Sequence, residues 1–451
     1  MSRAESKKST LQDWLRKRGI TEVECFLPDM AGIARGKVMP AGKFGDREGL
    51  RLPESVFMQT VTGDYADAEG LVASVEPDVI LQPDPTTIRV VPWAGDPTAQ
   101  VIHDAFYADG QPVDISTRYV LRRVIDLYSA QGWKPIVAPE LEFYLVKTNT
   151  DPDYPLEPPV GRNGRAETVR QSYGIDAVNE FDPVFEDMYD FAAAENLDID
   201  TLIHEGGAAQ MEINFRHGDP LDLADQVLLF KRTVREVALR HKMYATFMAK
   251  PMAKEPGSAM HIHQSVHYLE GSGSIFSNPD DSESDLFRAH IAGLQTYLPS
   301  AMAIFAPYVN SYRRITRYHS APINLQWGYD NRTVGLRVPF SNPSARRVEN
   351  RIVGADVNPY LGIAASLACG YLGMMERRAP TEPLQGDAYQ LPYQLPRNLE
   401  TALENLRACG PLRDILGHKF VELFYAIKQM ELENFFNVVS PWEREFLLLN
   451  V

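Results

Sequence analysis

Cysteine is scarce: Cys25, Cys369 and Cys409 are the only three among 451 residues, and no two form a CxxC pair. An odd, widely spaced set excludes a disulfide framework and a thiolate zinc or iron–sulfur site, and points to reduced thiols in a cytoplasmic protein. Long apolar runs are also missing. The opening MSRAESKKST is polar and has no apolar stretch of the kind found in a secretory signal. The longest weakly apolar run, Pro359 to Met375, is interrupted by three glycines and is short for a membrane span, so a buried helix is expected. Positive charge is in deficit, 45 Lys and Arg against 60 Asp and Glu, a formal charge of −15. Such a surface repels polyanions, which excludes nucleic acid and anionic membrane as partners and would welcome a cationic substrate. Neither a GxxxxGK[ST] loop nor a GxGxxG turn occurs, so a nucleotide would have to be held by other means.

The composition, 44% hydrophobic and 23% charged, is that of a folded globular protein with a sizeable core. The length suits two domains, and the boundary is placed near Asp109, giving a smaller unit over 1–108 and a larger one over 109–451. In the first, a short helix from Leu11 to Arg18 precedes a strand at Glu22 to Leu27, a turn at Asp29 to Gly32 and a second strand near Lys37. The Pro-rich text from Gln82 to Pro97 precedes a strand-like piece at Gln100 to Ile102, and Asp114 or Ser116 caps a helix reaching about Ala130. Beyond it, strands alternate with helices at Pro183 to Glu195 and Leu221 to Lys242. Loops are expected at Asp151 to Gly164 and Gly271 to Glu283, and helices at Leu399 to Ala408 and Gly417 to Phe436. The fold class is α+β.

Four strand-like segments carry polar or ionisable groups at every second position, which in a strand puts them on one face. Val137 to Val146 places Glu140 and Glu142 together, about 6.5–7 Å apart at Cα, a separation that suits neighbouring metal ions. After Glu205 and a glycine pair, Gln210, Glu212 and Asn214 share a face, with Met211, Ile213 and Phe215 opposite. His261, His263 and Ser265 alternate with Met260, Ile262 and Val266, and Glu349 is offset by two from Arg351. One such strand is what any half-solvated sheet produces. Four of them, rich in carboxylate and imidazole, point to a sheet face that holds hard divalent ions, Mg²⁺ or Mn²⁺. Such ions serve phosphoryl transfer, which also calls for guanidinium groups. Between Asn310 and Arg351 there are eight arginines and no lysine: Arg313, Arg314, Arg317, Arg332, Arg337, Arg346, Arg347 and Arg351. About half are expected to be structural or on the surface.

PELEF at Pro139 to Phe143, Glu205 with Gln210-Met-Glu212, GSAMHIHQS at Gly257 to Ser265, NRTVGLRVP at Asn331 to Pro339 and RRVENR at Arg346 to Arg351 occur in an order that resembles the glutamine synthetase family over nearly the whole chain. The resemblance implies a small N-terminal β-grasp domain followed by a catalytic domain with a curved antiparallel sheet flanked by helices. It implies one metal on Glu142, Glu205 and Glu212 and a second on Glu140, His261 and Glu349. It also implies nucleotide contacts from His263, Ser265, Arg332, Arg337 and Arg347, with Arg332 and Arg337 acting on the transferring phosphoryl group. Gly257, Arg314 and Arg351 are implied to bind glutamate. The implied chemistry uses ATP as co-substrate: the γ-carboxylate becomes γ-glutamyl phosphate, which an amine captures. A homododecamer of two stacked rings, with active sites between subunits, is implied too. Tyr389 falls where some relatives are adenylylated, though regulation there is not expected.

Departures from the family pattern bear on the amine. The flap glutamate that closes the ammonium pocket is replaced by Ser320, within Arg317-Tyr-His-Ser-Ala-Pro322. The Asp-Gly-Ser-Ser text is absent, and Pro53-Glu-Ser-Val-Phe57 stands in its region. Pro256 replaces an asparagine of the glutamate site, and Ser344 a lysine near the adenine. Ser320 thus marks a substrate pocket opened to a substituted amine, and His319 beside it is a candidate base. The pattern is similar to the γ-glutamylpolyamine synthetase branch, with putrescine, spermidine or a related diamine as acceptor. A monoamine such as ethanolamine, ammonia itself, and a non-catalytic relative are the alternatives.

Overall fold

The structure is a computed structural model that describes residues 11–44, 50–67, 70–72, 75–168, 170–271, 273–317 and 321–451. Its strands form two sheets. The first contains β1 (Glu22–Pro28), β2 (Ala34–Pro40), β3 (Leu50–Pro53), β4 (Asp78–Pro83), β5 (Arg89–Val90) and β6 (Thr98–Phe106), ordered β2-β1-β6-β4-β3 with β5 also on β6. β1 and β2 make the expected antiparallel hairpin, and β1 runs parallel to β6. The second sheet contains β7 (Trp133–Lys147), β8 (Ile199–His204), β9 (Gln210–Phe215), β10 (Met243–Thr246), β11 (Met260–Tyr268), β12 (Trp327–Tyr329), β13 (Leu336–Val338) and β14 (Val348–Asn350). Its order is β12-β13-β14-β11-β7-β9-β8, with β10 on β7. The fold is mixed α+β.

β7 is the axis of the second sheet. Residues Trp133 to Leu141 pair with β11, Glu140 to Tyr144 with β9, and Tyr144 to Lys147 with β10. Glu140 and Glu142 therefore occupy the stretch where β7 passes from one neighbour on that side to the next. The sheet is antiparallel, as expected, apart from the β12–β13 pair at its edge, which runs parallel. Parallel neighbours usually need a long crossover. Here each strand has three residues, and the six-residue link 330–335 is long enough to return. Asp330 enters that link with φ +48°, and Asn331 accepts from the Thr333 backbone N–H at 3.0 Å.

Helices lie where pattern and capping direct them. Asp219 accepts from the N–H groups of Leu221 and Asp222 and starts the helix Pro220–Arg240; Asn358 does the same for Pro359–Met375 through Tyr360 and Leu361. The Pro359–Met375 helix is buried almost all round, as expected, and among the described residues no helix is long and apolar enough to cross a membrane. The helix Asp285–Phe305 and the strands β8 and β10 were not anticipated, and the Pro-rich text from Gln82 contains the end of β4 and all of β5. Beneath the second sheet, Leu141, Phe143, Met211, Ile213, Met260 and Ile262 are fully buried, and the helices Thr117–Ala130, Pro220–Arg240 and Pro359–Met375 pack there. Each of these side chains contributes about 1.5–3 kcal/mol of burial, which fixes the face that the polar partners must take.

Arg118 ties the first sheet to these helices. It is 1% exposed and donates to Asp104 on β6 at 2.6 Å, to Asp84 just after β4 at 2.8 Å, and through two atoms to Asp225 of Pro220–Arg240 at 3.0 and 2.7 Å. Tyr360 donates to the same Asp225 carboxylate at 2.6 Å. Burial alone would raise Asp84, but Arg118 outweighs it and holds the carboxyl down at about 2; Asp225, more deeply buried, is raised despite the same partner. Removing one member of a buried ion cluster costs about 3–5 kcal/mol, because the others stay buried and unpaired. Arg118→Met is therefore expected to lower the thermal unfolding temperature by several degrees. Asp84, depressed in the fold, contributes stability above about pH 4 that is lost as pH falls towards 2. In Arg118→Met that part of the acid slope should flatten when unfolding is followed by circular dichroism between pH 5 and 2.

Candidate active site

The strand register gathers the candidate residues into one patch. Glu142 lies opposite Glu212 across β7 and β9, Glu140 opposite His261 across β7 and β11, His263 opposite Glu349 across β11 and β14, and Glu349 opposite Arg337 across β14 and β13. Alternation puts all of them on the face away from the helices. His261 Nδ1 is 3.3 Å from Glu140 and 3.7 Å from Glu349, and its Nε2 is 3.9 Å from Glu142. His263 Nε2 is 2.8 Å from Glu140. Arg347 donates its Nε–H to His263 Nδ1 at 3.1 Å, so the imidazole proton resides on Nε2 and is directed at Glu140. Two groups bring their ligand atoms within 4.8 Å of one another: Glu140, Glu212 and His261, and Glu140, His263 and Glu349. Glu140 is common to both. The split implied by resemblance is different, since it leaves His263 to the nucleotide and assigns Glu212 with Glu142 and Glu205.

The electrostatics divide the patch. Glu349 is fully buried; burial would raise it, but Arg351 beside it outweighs this and holds it at about 2, with Arg337 donating to its other oxygen at 2.8 Å. Glu140 is likewise held well below the carboxylate range, the hydrogen bonds from His261 and His263 outweighing burial. Across the patch the direction reverses. Burial and the neighbouring Glu205 push Glu142 up to about 8, burial raises Glu205, and Glu212 is raised by burial and by four surrounding glutamates. His261 is pushed down to about 4 by burial and by Arg351, which keeps it a neutral imidazole able to ligate.

The residues expected to bind glutamate also meet. A Cβ at Gly257 would come within 2.5 Å of Arg314 Cγ and of the Ala249 carbonyl, so only glycine fits. Arg314 is buried and donates to the carbonyls of Ile352 and Arg351 at 2.8 and 2.9 Å. Arg351 contacts Glu349, and its Nε has no hydrogen-bond partner among the described residues. Arg332 is exposed, its guanidinium 3.2 Å from the Tyr173 hydroxyl and near enough to Glu205 to oppose in small part the rise that burial imposes on that carboxyl. Ser265 is buried two residues beyond His263, its Oγ 3.2 Å from His267 Nε2. Arg346 faces away and anchors the 276–283 loop through the carbonyls of Phe276, Asp281 and Ser282. His319 and Ser320 lie outside the described residues.

The family description "Glutamine synthetase, catalytic domain" matches residues 114–447. The chain is 36% identical to γ-glutamylputrescine synthetase PuuA of Escherichia coli over 442 residues, 95% of this chain and 92% of that one. It is 34% identical to a glutamate–isopropylamine ligase of a Pseudomonas species over 97% and 98% of the two chains, and 32% identical to a glutamine synthetase of Mycolicibacterium smegmatis over 95% and 96%. The chain belongs to the glutamine synthetase family. With it, the protein is an ATP-dependent ligase. Among solved structures, one titled "Apo GmaS without ligand" superposes with a TM-score of 0.83 at 26% identity, over 97% of this chain and 99% of that one.

Glutamine synthetases use ATP and divalent metals, and the donor set here fits hard divalent ions: four carboxylates and two imidazoles on one face with Glu205 in the adjoining turn, three of the carboxylates raised and so in need of positive charge. Sequence reasoning gave no role to Gln210, Tyr144, His204 or Glu167, which support this set. His204 faces the Glu205 carbonyl at 2.8 Å and Glu167 at 3.0 Å, and Glu167 also accepts from the Ala209 N–H at 2.6 Å. Glu167 belongs to a loop with no periodicity, and its partner lies 37 residues away, so no local signal marks it. Because Glu140 is shared, Glu140→Ala is expected to abolish tight Mn²⁺ binding at both groups, whereas Glu212→Ala should spare one ion. Mn²⁺ titration followed by electron paramagnetic resonance counts the ions directly.

Proposed function

We propose that the protein forms a γ-glutamyl amide from L-glutamate and a primary amine, preferentially a diamine or polyamine such as putrescine or spermidine, in the cytoplasm. The observation that carries the amine assignment is the loss of both ammonium-pocket carboxylates. Ser320 stands for the flap glutamate. The carboxylate nearest the missing Asp-Gly-Ser-Ser text, Glu54, is buried and committed within its own chain, to the Tyr107 hydroxyl and Lys419 Nζ at 2.9 Å each. Two relatives whose names describe glutamate–amine ligation, with putrescine and with isopropylamine, support the reading.

In the first step a γ-carboxylate oxygen of glutamate attacks the γ-phosphorus of ATP and the bond to ADP breaks. In the second the amine nitrogen attacks the acyl carbon of γ-glutamyl phosphate, phosphate leaves, and the nitrogen gives up its proton. Gly257, Arg314 and Arg351 hold glutamate, and Arg332, Arg337 and Arg347 with His263 and Ser265 face the phosphates. Two or more Mg²⁺ or Mn²⁺ ions, held by Glu140, Glu142, Glu205, Glu212, His261 and Glu349, would neutralise the phosphate oxygens when bound. Arginines in this role are worth most when fixed beforehand, and the contact of Arg337 with Glu349 supports that. We read residues 1–108 as a β-grasp unit, supported by the hairpin and the parallel β1–β6 pair, and 109–451 as the catalytic unit whose sheet curves round the site; a homododecamer remains the expected assembly. Tyr389 is only 7% exposed, which speaks against its modification.

A panel of amines assayed for phosphate release with glutamate and ATP tests the assignment. A diamine should exceed ammonium in kcat/KM by at least about tenfold, equivalent to about 1.4 kcal/mol in the transition state. Comparable turnover with ammonium would sink the assignment, and a monoamine ahead of the diamine of the same length would replace the polyamine.

A further inference from the structure

Gln210 is 1% exposed, and both ends of its amide are hydrogen-bonded. Its Oε1 accepts from the Gly207 N–H at 2.9 Å and is 3.1 Å from the Tyr144 hydroxyl; its Nε2 donates to Glu142 Oε2 at 3.2 Å and to the Gly257 carbonyl at 3.0 Å, with Ser258 Oγ at 3.4 Å. The amide orientation is fixed, because the Gly207 N–H can only donate and the Gly257 carbonyl can only accept. The Tyr144 hydroxyl lies 2.8 Å from the Pro256 carbonyl as well, and a Cβ at Gly207 would fall 1.9 Å from its oxygen. One side chain thus links the Glu205–Gln210 turn, the Glu142 carboxylate and the Pro256–Gly257 backbone.

We propose that Gln210 is a positioning residue that couples the divalent-metal site to the glutamate subsite, aiming Glu142 Oε2 with one N–H and fixing the Gly257 carbonyl with the other. The inference rests on the functional reading above in taking Glu142 as a metal ligand and Gly257 as a glutamate contact. Glu142 has a second donor, the Ala259 N–H at 2.9 Å, on the same side of the carboxylate, so Oε1 is left to face His261. Without Gln210 the carboxylate can rotate, and the 256–257 segment loses its tie to β9. A hydrogen-bond partner of a ligating group typically accounts for a 10–100-fold change in metal affinity.

The test is Mn²⁺ and glutamate binding to Gln210→Met, which keeps the length of the side chain and removes its hydrogen bonds. Mn²⁺ affinity by electron paramagnetic resonance should fall about 10–100-fold, and glutamate affinity by calorimetry should fall with it. In a Glu142→Ala background the same change should cost less than about twofold in Mn²⁺ affinity, since Gln210 would have no ligand left to aim. If Gln210→Met does not fold, Gln210→Asn, too short to reach both Glu142 and Gly207, should give the same paired loss. A folded Gln210 variant with wild-type Mn²⁺ affinity, or an equal loss in the Glu142→Ala background, overturns the coupling. Failure of the wild type to bind Mn²⁺ would instead overturn the metal reading.

Discussion

Four carboxylates on one sheet face and Glu205 in the turn beside it, all buried or half-buried, repel one another, and the surrounding structure is arranged to hold them there. Apolar residues on the underside of β7, β9 and β11 anchor the register, and a slip of one residue would send Glu140, Glu142 and Glu212 into the core. The repulsion is not relieved evenly. Glu349 and Glu140 are compensated by Arg351, Arg337, His261 and His263 and stay ionised. Glu142, Glu205 and Glu212 are raised, by burial first and then by neighbouring glutamates. The uncompensated three coincide with the set that resemblance assigns to one metal. A cation there would remove a penalty that the protein alone leaves standing.

The alternation of ionisable and apolar residues was legible because it is local, and so were its consequences: β7, β9, β11 and β14 run where the pattern places them, and their polar faces converge. The helices Pro220–Arg240, Pro359–Met375 and Leu399–Ala408 were legible for the same reason, through periodicity and caps. What could not be read depends on partners distant in sequence. Arg118 gives no sign that its carboxylates are Asp84, Asp104 and Asp225. Gln210 was visible as a face residue, but its role depends on Tyr144 and Gly257, far off along the chain. The parallel β12–β13 pair was hidden because three-residue strands are too short for any periodicity.

The arginines show how far composition reaches. Their abundance between Asn310 and Arg351 signalled phosphate and carboxylate chemistry, but not the division of labour. Arg346 and Arg347 are adjacent, yet one ties down the 276–283 loop and the other meets His263. Arg314, buried against Gly257, spends its Nη1 and Nη2 donors on the backbone at 351–352, so in the glutamate site proposed above it fixes the backbone beside Gly257.

The amine side rests on different physics. An ammonium pocket needs negative charge at short range, because a small, strongly hydrated cation is drawn from water only by groups that replace its hydration. A diamine carries its own apolar linker and a second cation, so part of its binding can come from burial of methylene groups and from the diffuse field of an acidic chain. In the proposed reading, serine at 320 in place of the flap carboxylate and the inward commitment of Glu54 remove the first kind of recognition and leave the second intact. The acyl-phosphate chemistry need not change for this, since the residues proposed for it, Glu349, Arg337 and Arg351, are held together by their own contacts.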